Sequence, residues 1–189
     1  DEGSDHLNGV AGAAAVREGK KRMQDGVLNL GIGNNRVLTV GFGQPARQRF
    51  DRDILEQRGV TDVIIFEGIN DLGNSKDGIV TAHELVEAYK QMIEKCHKAG
   101  LKVWLGTITP MKGAHYYSVS HELGRKLVNN WIRLQHEADG VLDFDKLMRD
   151  PADEHALRPG LYLPDHLHPN AEGYKMMGKY AAERMLTLE

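Results

Sequence analysis

Residues 63–75 read VIIFEGINDLGNS. Val63, Ile64, Ile65 and Phe66 make an unbroken apolar run, and Gly68, Asn70 and Asp71 follow almost at once. Such a run, closed by turn formers, has the pattern of a short strand buried on both faces. Three other stretches share it: VLNLGIG (27–33), LKVWLGTI (101–108) and GVLDFD (140–145). Helical patterns lie between them. Thr81 and Glu84 have capping-box spacing, Leu85, Tyr89, Met92, Ile93 and Cys96 recur at helical intervals, and Gly100 stands where that helix would stop. A second helix is expected from Ser118 or Ser120, with Leu123, Leu127, Trp131 and Leu134 as its apolar positions. A third is expected after Asn170, carrying Tyr174, Met177, Ala181 and Met185. Strands alternating with helices predict an α/β fold, a three-layer α/β/α sandwich around a parallel sheet.

Composition narrows the function classes. The chain has 189 residues, 41% hydrophobic and 27% charged, which suits one globular domain over residues 1–189. A net charge of −3 with interspersed cations gives no electrostatic footprint for nucleic acid, and no apolar run approaches the roughly 18 residues that span a bilayer. The single cysteine, Cys96, cannot form an internal disulfide and is silent about compartment.

In a parallel sheet, ligands bind beyond the carboxyl ends of the strands. Both GIGNN (31–35) and GIND (68–71) would sit there. Gly31, Gly33 and Gly68 permit sharp turns, while Asn34, Asn35, Asn70 and Asp71 put short polar side chains on the same rim; the plainer reading makes all of them turn formers. A second signal is LPDHLHPNAEGY (163–174). Asp165 and His168 are spaced so that the carboxylate can accept the imidazole Nδ1–H and set its tautomer, as in a hydrolytic triad. The same pair could simply brace the start of a helix. A metal cluster of Asp165, His166 and His168 is disfavoured, because alternate residues of an extended loop point apart and no second ligand cluster completes a set.

Taken in order, VLNLGIGNN, GIND and DHLH resemble the second, third and fifth blocks of the SGNH (GDSL) hydrolase family, in its bacterial and fungal esterase-like branch. The similarity extends through FDRDIL, TITPM and DGVLDFDKLMRDP to the C-terminal part of the chain. The resemblance implies a flavodoxin-like fold and a serine esterase acting on a small-molecule or carbohydrate ester without metal or cofactor. It makes His168 the general base, Asp165 its orienting partner and the Asn70 amide an oxyanion donor, with the backbone at Gly33 and Asn34 supplying another. Asp71 is expected to brace the Asn70 loop through backbone N–H groups. These groups should converge on one small cavity. The alternative is an inactive SGNH-fold module that binds carbohydrate or another protein.

Two departures from the family pattern stand out. Asn34 occupies the position of the second-block glycine, and asparagine tolerates the left-handed backbone that position needs. The Gly-Asp-Ser block that carries the family's nucleophile is not found, and of the four serines only Ser4 falls at a suitable place in the order. The expectation is a chain written from just after that block, with Ser4 as the fallback nucleophile and loss of the serine as a third outcome. The strands at 27–31 and 62–66 would then lack the neighbour between them. Either an open slot, a further segment or second chain completing the sheet, or a rearranged N-terminus should be found there.

Overall fold

The computed structural model describes residues 26–186, whose packing divides into two compact units. Among described residues, the first comprises 26–31, 110–114 and 146–186, and the second comprises 32–109 and 115–145. Ser4 and the alanine-rich stretch after it lie outside the described residues.

The second unit is built on a parallel sheet of β1 (Asp62–Ile65), β2 (Lys102–Gly106) and β3 (Gly140–Leu142), in that order. Val63 pairs with Val103 and Ile65 with Leu105, and Leu105 pairs onward with Val141. Before the sheet come α1 (Ala46–Phe50), which continues through a π turn (Asp51–Leu55); α2 (Ile69–Gly73), α3 (Gly78–Lys98) and α4 (Val119–Leu134) follow β1. Both crossovers run in one direction across the sheet, and α3 and α4 pack on each other. The expected apolar face of α3 is the buried one. Leu85, Tyr89, Met92, Ile93 and Cys96 join Val63, Ile65, Val103 and Leu105 in the core, each large side chain contributing about 1.5–3 kcal/mol of transfer free energy.

Two local expectations change. The α3 cap is Asp77, whose carboxylate accepts from the Ile79 and Val80 N–H groups at 2.9 and 3.2 Å; Thr81 already lies within the first turn. On α4, Ser118 is the cap, accepting from His121 N–H at 3.1 Å, and of the expected apolar positions Leu127 and Trp131 pack against the core while Leu123 and Leu134 do not. Leu123 is 50% and Leu134 66% exposed, while Glu122, Arg125, Val128, Asn129 and Ile132 are buried. Arg125 and Asn129 turn inward because they satisfy polar groups at the strand ends. The Asn129 amide exchanges two bonds with the Ile108 backbone, at 2.7 and 2.8 Å, and Arg125 reaches the Ile108 carbonyl at 3.1 Å.

The largest correction concerns residues 27–33, which form no strand. Asn29 Oδ1 instead accepts from the Gly31 N–H at 3.0 Å, folding the chain locally, and Leu28 is 64% exposed. Apolar composition alone does not make a strand, and this backbone has no ladder partner among the described residues. β1 likewise has one neighbour, β2, and its other edge has no ladder partner among the described residues.

In the first unit, α5 (Phe144–Met148), which begins in the second, leads into an antiparallel hairpin of β4 (Arg149–Asp150) and β5 (Asp153–Leu157) that the apolar pattern did not suggest. The last helix, α6 (Ala171–Leu186), starts where expected. Asn170 Oδ1 accepts from the Gly173 N–H at 3.0 Å, and Met177 and Ala181 are fully buried. No helix among the described residues is long and apolar enough to cross a membrane.

Candidate active site

The first unit carries the acid and imidazole pair. Residues 161–170 form a closed loop: Leu163 N–H donates to the His168 carbonyl at 2.8 Å, and Asn170 N–H to the Leu161 carbonyl at 3.0 Å. Within it, Asp165 Oδ2 stands 2.6 Å from His168 Nδ1, while Oδ1 accepts from the backbone N–H groups of Leu167 and His168, both at 3.0 Å. A carboxylate can only accept, so Nδ1 carries the proton and Nε2 is the basic nitrogen of the neutral ring. Partial burial pushes the Asp165 carboxyl up, but the bonds from His168 and the two backbone groups outweigh it and hold the acid below its usual range. His166 does not share this arrangement. Its backbone is left-handed (φ 57°), and its ring packs against Tyr162 at 4.8 Å between centroids.

The second unit carries the amide cluster. Ile32 to Asn35 make a tight turn, closed by Asn35 N–H to the Ile32 carbonyl at 3.1 Å, with Asn34 left-handed at φ 51° as that position requires. The Asn34 N–H has no hydrogen-bond partner among the described residues. The GIND segment is a short helix rather than a loop. Gly68 opens α2 at φ 113°, and a Cβ there would meet the Tyr89 hydroxyl at 2.5 Å, so glycine is required twice over. From α2, Asn70 Nδ2 donates one hydrogen to the Asn35 carbonyl at 2.9 Å; its second N–H has no partner among the described residues. Asp71 does accept from backbone N–H groups, but from those of Val37 and Leu38, 34 and 33 positions away and each at 2.9 Å, and not from the Asn70 loop as expected. Burial pushes its carboxyl up in spite of those donors. The structure thus unites Asp165 with His168 in the first unit, and in the second it bonds Asn70 to the Asn35 carbonyl and joins Asn34 to Asn70 through the Tyr116 hydroxyl; Gly33 lies in the turn beside them.

The sequence named Asn35 only as a rim residue and gave no signal for Tyr116. Asn35, fully buried, gives its Nδ2 to the Gln44 carbonyl and takes the Arg49 guanidinium on Oδ1. Tyr116 reaches both Asn34 and Asn70 with its hydroxyl. Each of these contacts joins residues far apart in the chain, so no local spacing reveals them. The three described serines are engaged with the backbone: Ser75 Oγ donates to the Leu72 carbonyl, Ser118 caps α4, and Ser120 Oγ accepts from the Gly78 N–H.

A sequence profile of the GDSL-like lipase/acylhydrolase family matches residues 3–176. The chain belongs to that family. Among solved structures, a protein assigned to the G-D-S-L lipolytic family from Desulfitobacterium hafniense is 22% identical, with a TM-score of 0.71 over 95% of this chain and 94% of that one. A GDSL-like lipase from Bacteroides thetaiotaomicron is 21% identical, with a TM-score of 0.60 over 76% and 70%. A protein assigned as an acylhydrolase from Bacteroides fragilis is 23% identical, with a TM-score of 0.59 over 76% and 69%. These likenesses extend to the fold, a mixed α/β architecture with a parallel sheet. No curated protein sequence matches the chain. Membership in the GDSL-like family supports hydrolase chemistry in general.

Beside the family's motif, Glu67 titrates in an unusual range. Burial and the neighbouring Asp71 carboxylate push its carboxyl up to about 7, with Arg49 opposing. The folded protein therefore takes up a proton that the unfolded chain releases near its ordinary value of 4.5. The resulting stabilisation is present below about pH 4.5 and is lost as pH rises through 7. Glu67→Gln, which keeps the neutral form at every pH, should match the parent near pH 4 and exceed it at pH 8 by about 2–3 kcal/mol. Urea unfolding at several pH values checks this; a difference independent of pH would contradict it.

Proposed function

We propose that the protein is a serine esterase that cleaves carboxylic or acetyl esters through an acyl-enzyme. The observation that carries this reading is the 2.6 Å bond between Asp165 Oδ2 and His168 Nδ1, with Oδ1 anchored by two backbone N–H groups. An imidazole held in this way presents a basic Nε2 and is stabilised when it becomes charged. In the proposed reaction a serine hydroxyl attacks the ester carbonyl carbon and its proton passes to His168 Nε2. The carbonyl oxygen becomes an oxyanion, stabilised by the second N–H of Asn70 Nδ2 and the backbone N–H of Asn34. Collapse expels the alcohol, which takes the proton from His168. Water then attacks the acyl-enzyme by the same route and releases the acid. Ser75, Ser118 and Ser120, all bonded to the backbone, are poor choices for the nucleophile, and Ser4 remains the fallback.

Turnover of 4-nitrophenyl acetate tests the reading. Asn70→Ala should lower kcat by about 100- to 1000-fold, the usual cost of one oxyanion donor. A reactive phosphonate ester should label one serine, located by peptide mass spectrometry. Absence of both turnover and labelling would favour an inactive carbohydrate-binding or interaction module.

A further inference from the structure

We propose that Tyr116 is a positioning residue that sets which way round the Asn70 amide stands. The inference rests on the oxyanion role proposed for Asn70.

The Tyr116 side chain is buried, and its hydroxyl lies among three amides: Asn70 Oδ1 at 3.2 Å, Asn34 Oδ1 at 3.3 Å and Asn74 Nδ2 at 3.0 Å. A phenol has one hydrogen to donate and an oxygen that accepts. Asn74 Nδ2 fills the acceptor side, so the hydrogen is left for the two amide oxygens. On its other end the Asn70 amide faces the Asn35 carbonyl, which can only accept. The two contacts agree on one orientation, with Oδ1 toward Tyr116 and Nδ2 toward Asn35. Rotating the amide by 180° would set oxygen against the Asn35 carbonyl and remove the donor that the oxyanion needs.

The tyrosine is itself held. Its ring passes over Gly73, where a Cβ would stand 2.2 Å from Cγ, so only glycine lets the ring come this near α2. The His121 ring sits between two carbonyls, Nδ1 2.7 Å from that of Tyr116 and Nε2 3.1 Å from that of Ser75, so it stands between the tyrosine backbone and the residues just after α2. The hydroxyl therefore links the 32–35 turn, α2 and the segment before α4, three pieces distant in sequence.

Tyr116→Phe keeps the ring and removes only this hydroxyl. The melting temperature should change little. In turnover of 4-nitrophenyl acetate, kcat should fall about fivefold to tenfold with KM unchanged, the size expected for one neutral hydrogen bond. Added to Asn70→Ala, it should cause no further loss. Asn74→Ala should shift kcat in the same direction by less, and it serves where the phenylalanine variant does not fold. A second readout is independent of turnover: the two Asn70 side-chain amide protons, resolved by nuclear magnetic resonance, should move together and exchange faster in Tyr116→Phe. Unchanged Asn70 resonances, or losses from the two substitutions that multiply, would overturn the proposal. If Asn70→Ala leaves turnover intact, the oxyanion reading fails, and the resonance comparison still decides the positioning role.

Discussion

Replacing His168 with alanine is expected to lower ester turnover by about 100- to 10,000-fold, the range that a positioned general base supplies. The same substitution should barely touch stability. The side chains of His168 and Asp165 are 52% and 41% exposed, and an ion pair so open to water contributes about 0–1 kcal/mol. That contrast separates the two readings of the pair. If the aspartate and histidine served only to brace the start of α6, the variant would lose stability and keep its turnover. The remaining anchors of the loop, Leu163 to His168 and Asn170 to Leu161, run through the backbone and survive the change. Parallel measurement of kcat for 4-nitrophenyl acetate and of the urea midpoint decides between them.

Arg125→Leu is expected to destabilise the protein by about 3–5 kcal/mol, because it strands buried charges. The guanidinium is 2% exposed and fully engaged: Nε and Nη2 clasp Glu122 at 2.8 and 2.7 Å, and Nη1 meets Asp145 Oδ1 at 2.7 Å and the Ile108 carbonyl. Arg133 reaches the other Asp145 oxygen and clasps Asp143, whose carboxylate accepts in turn from Thr107. Removing Arg125 leaves Glu122 without its clasping guanidinium in a site shut off from water. Arg125→Leu combined with Glu122→Leu should recover much of the loss, since replacing both members exchanges the buried ion pair for apolar packing instead of breaking it. Equal stability of Arg125→Leu and the parent in urea unfolding would show that α4 is not held by this network.

The readings that survived share one property: their partners are close in sequence. Asp165 and His168 are three residues apart, Ser118 and Asn170 cap helices through the residue three positions on, and Asn34 and Gly68 adopt positive φ where a turn or helix start demands it. Spacing along the chain encodes such contacts directly. The buried stripe of α3 was legible for the same reason, because Leu85, Tyr89, Met92, Ile93 and Cys96 repeat with the helix period and nothing polar competes for that face.

Only the tertiary structure decided the remainder. Apolar periodicity on α4 pointed to Leu123, Leu127, Trp131 and Leu134, of which Leu127 and Trp131 pack against the core, whereas Leu123 and Leu134 are exposed and Arg125 and Asn129 share the buried face with Val128 and Ile132, because polar groups after β2 and β3 need partners. Residues 27–33 have the composition of a strand, yet a strand exists only when another backbone completes its ladder, and composition names no partner. Tyr116 meets Asn70 across 46 residues, and Asp71 meets Val37 across 34. Glu67 holds its proton because burial and Asp71 surround it. Short-range hydrogen bonds and helix periodicity were thus written in the sequence, while strand pairing, polar satisfaction at the strand ends and the orientation of the Asn70 amide depended on which distant residues the fold brought alongside.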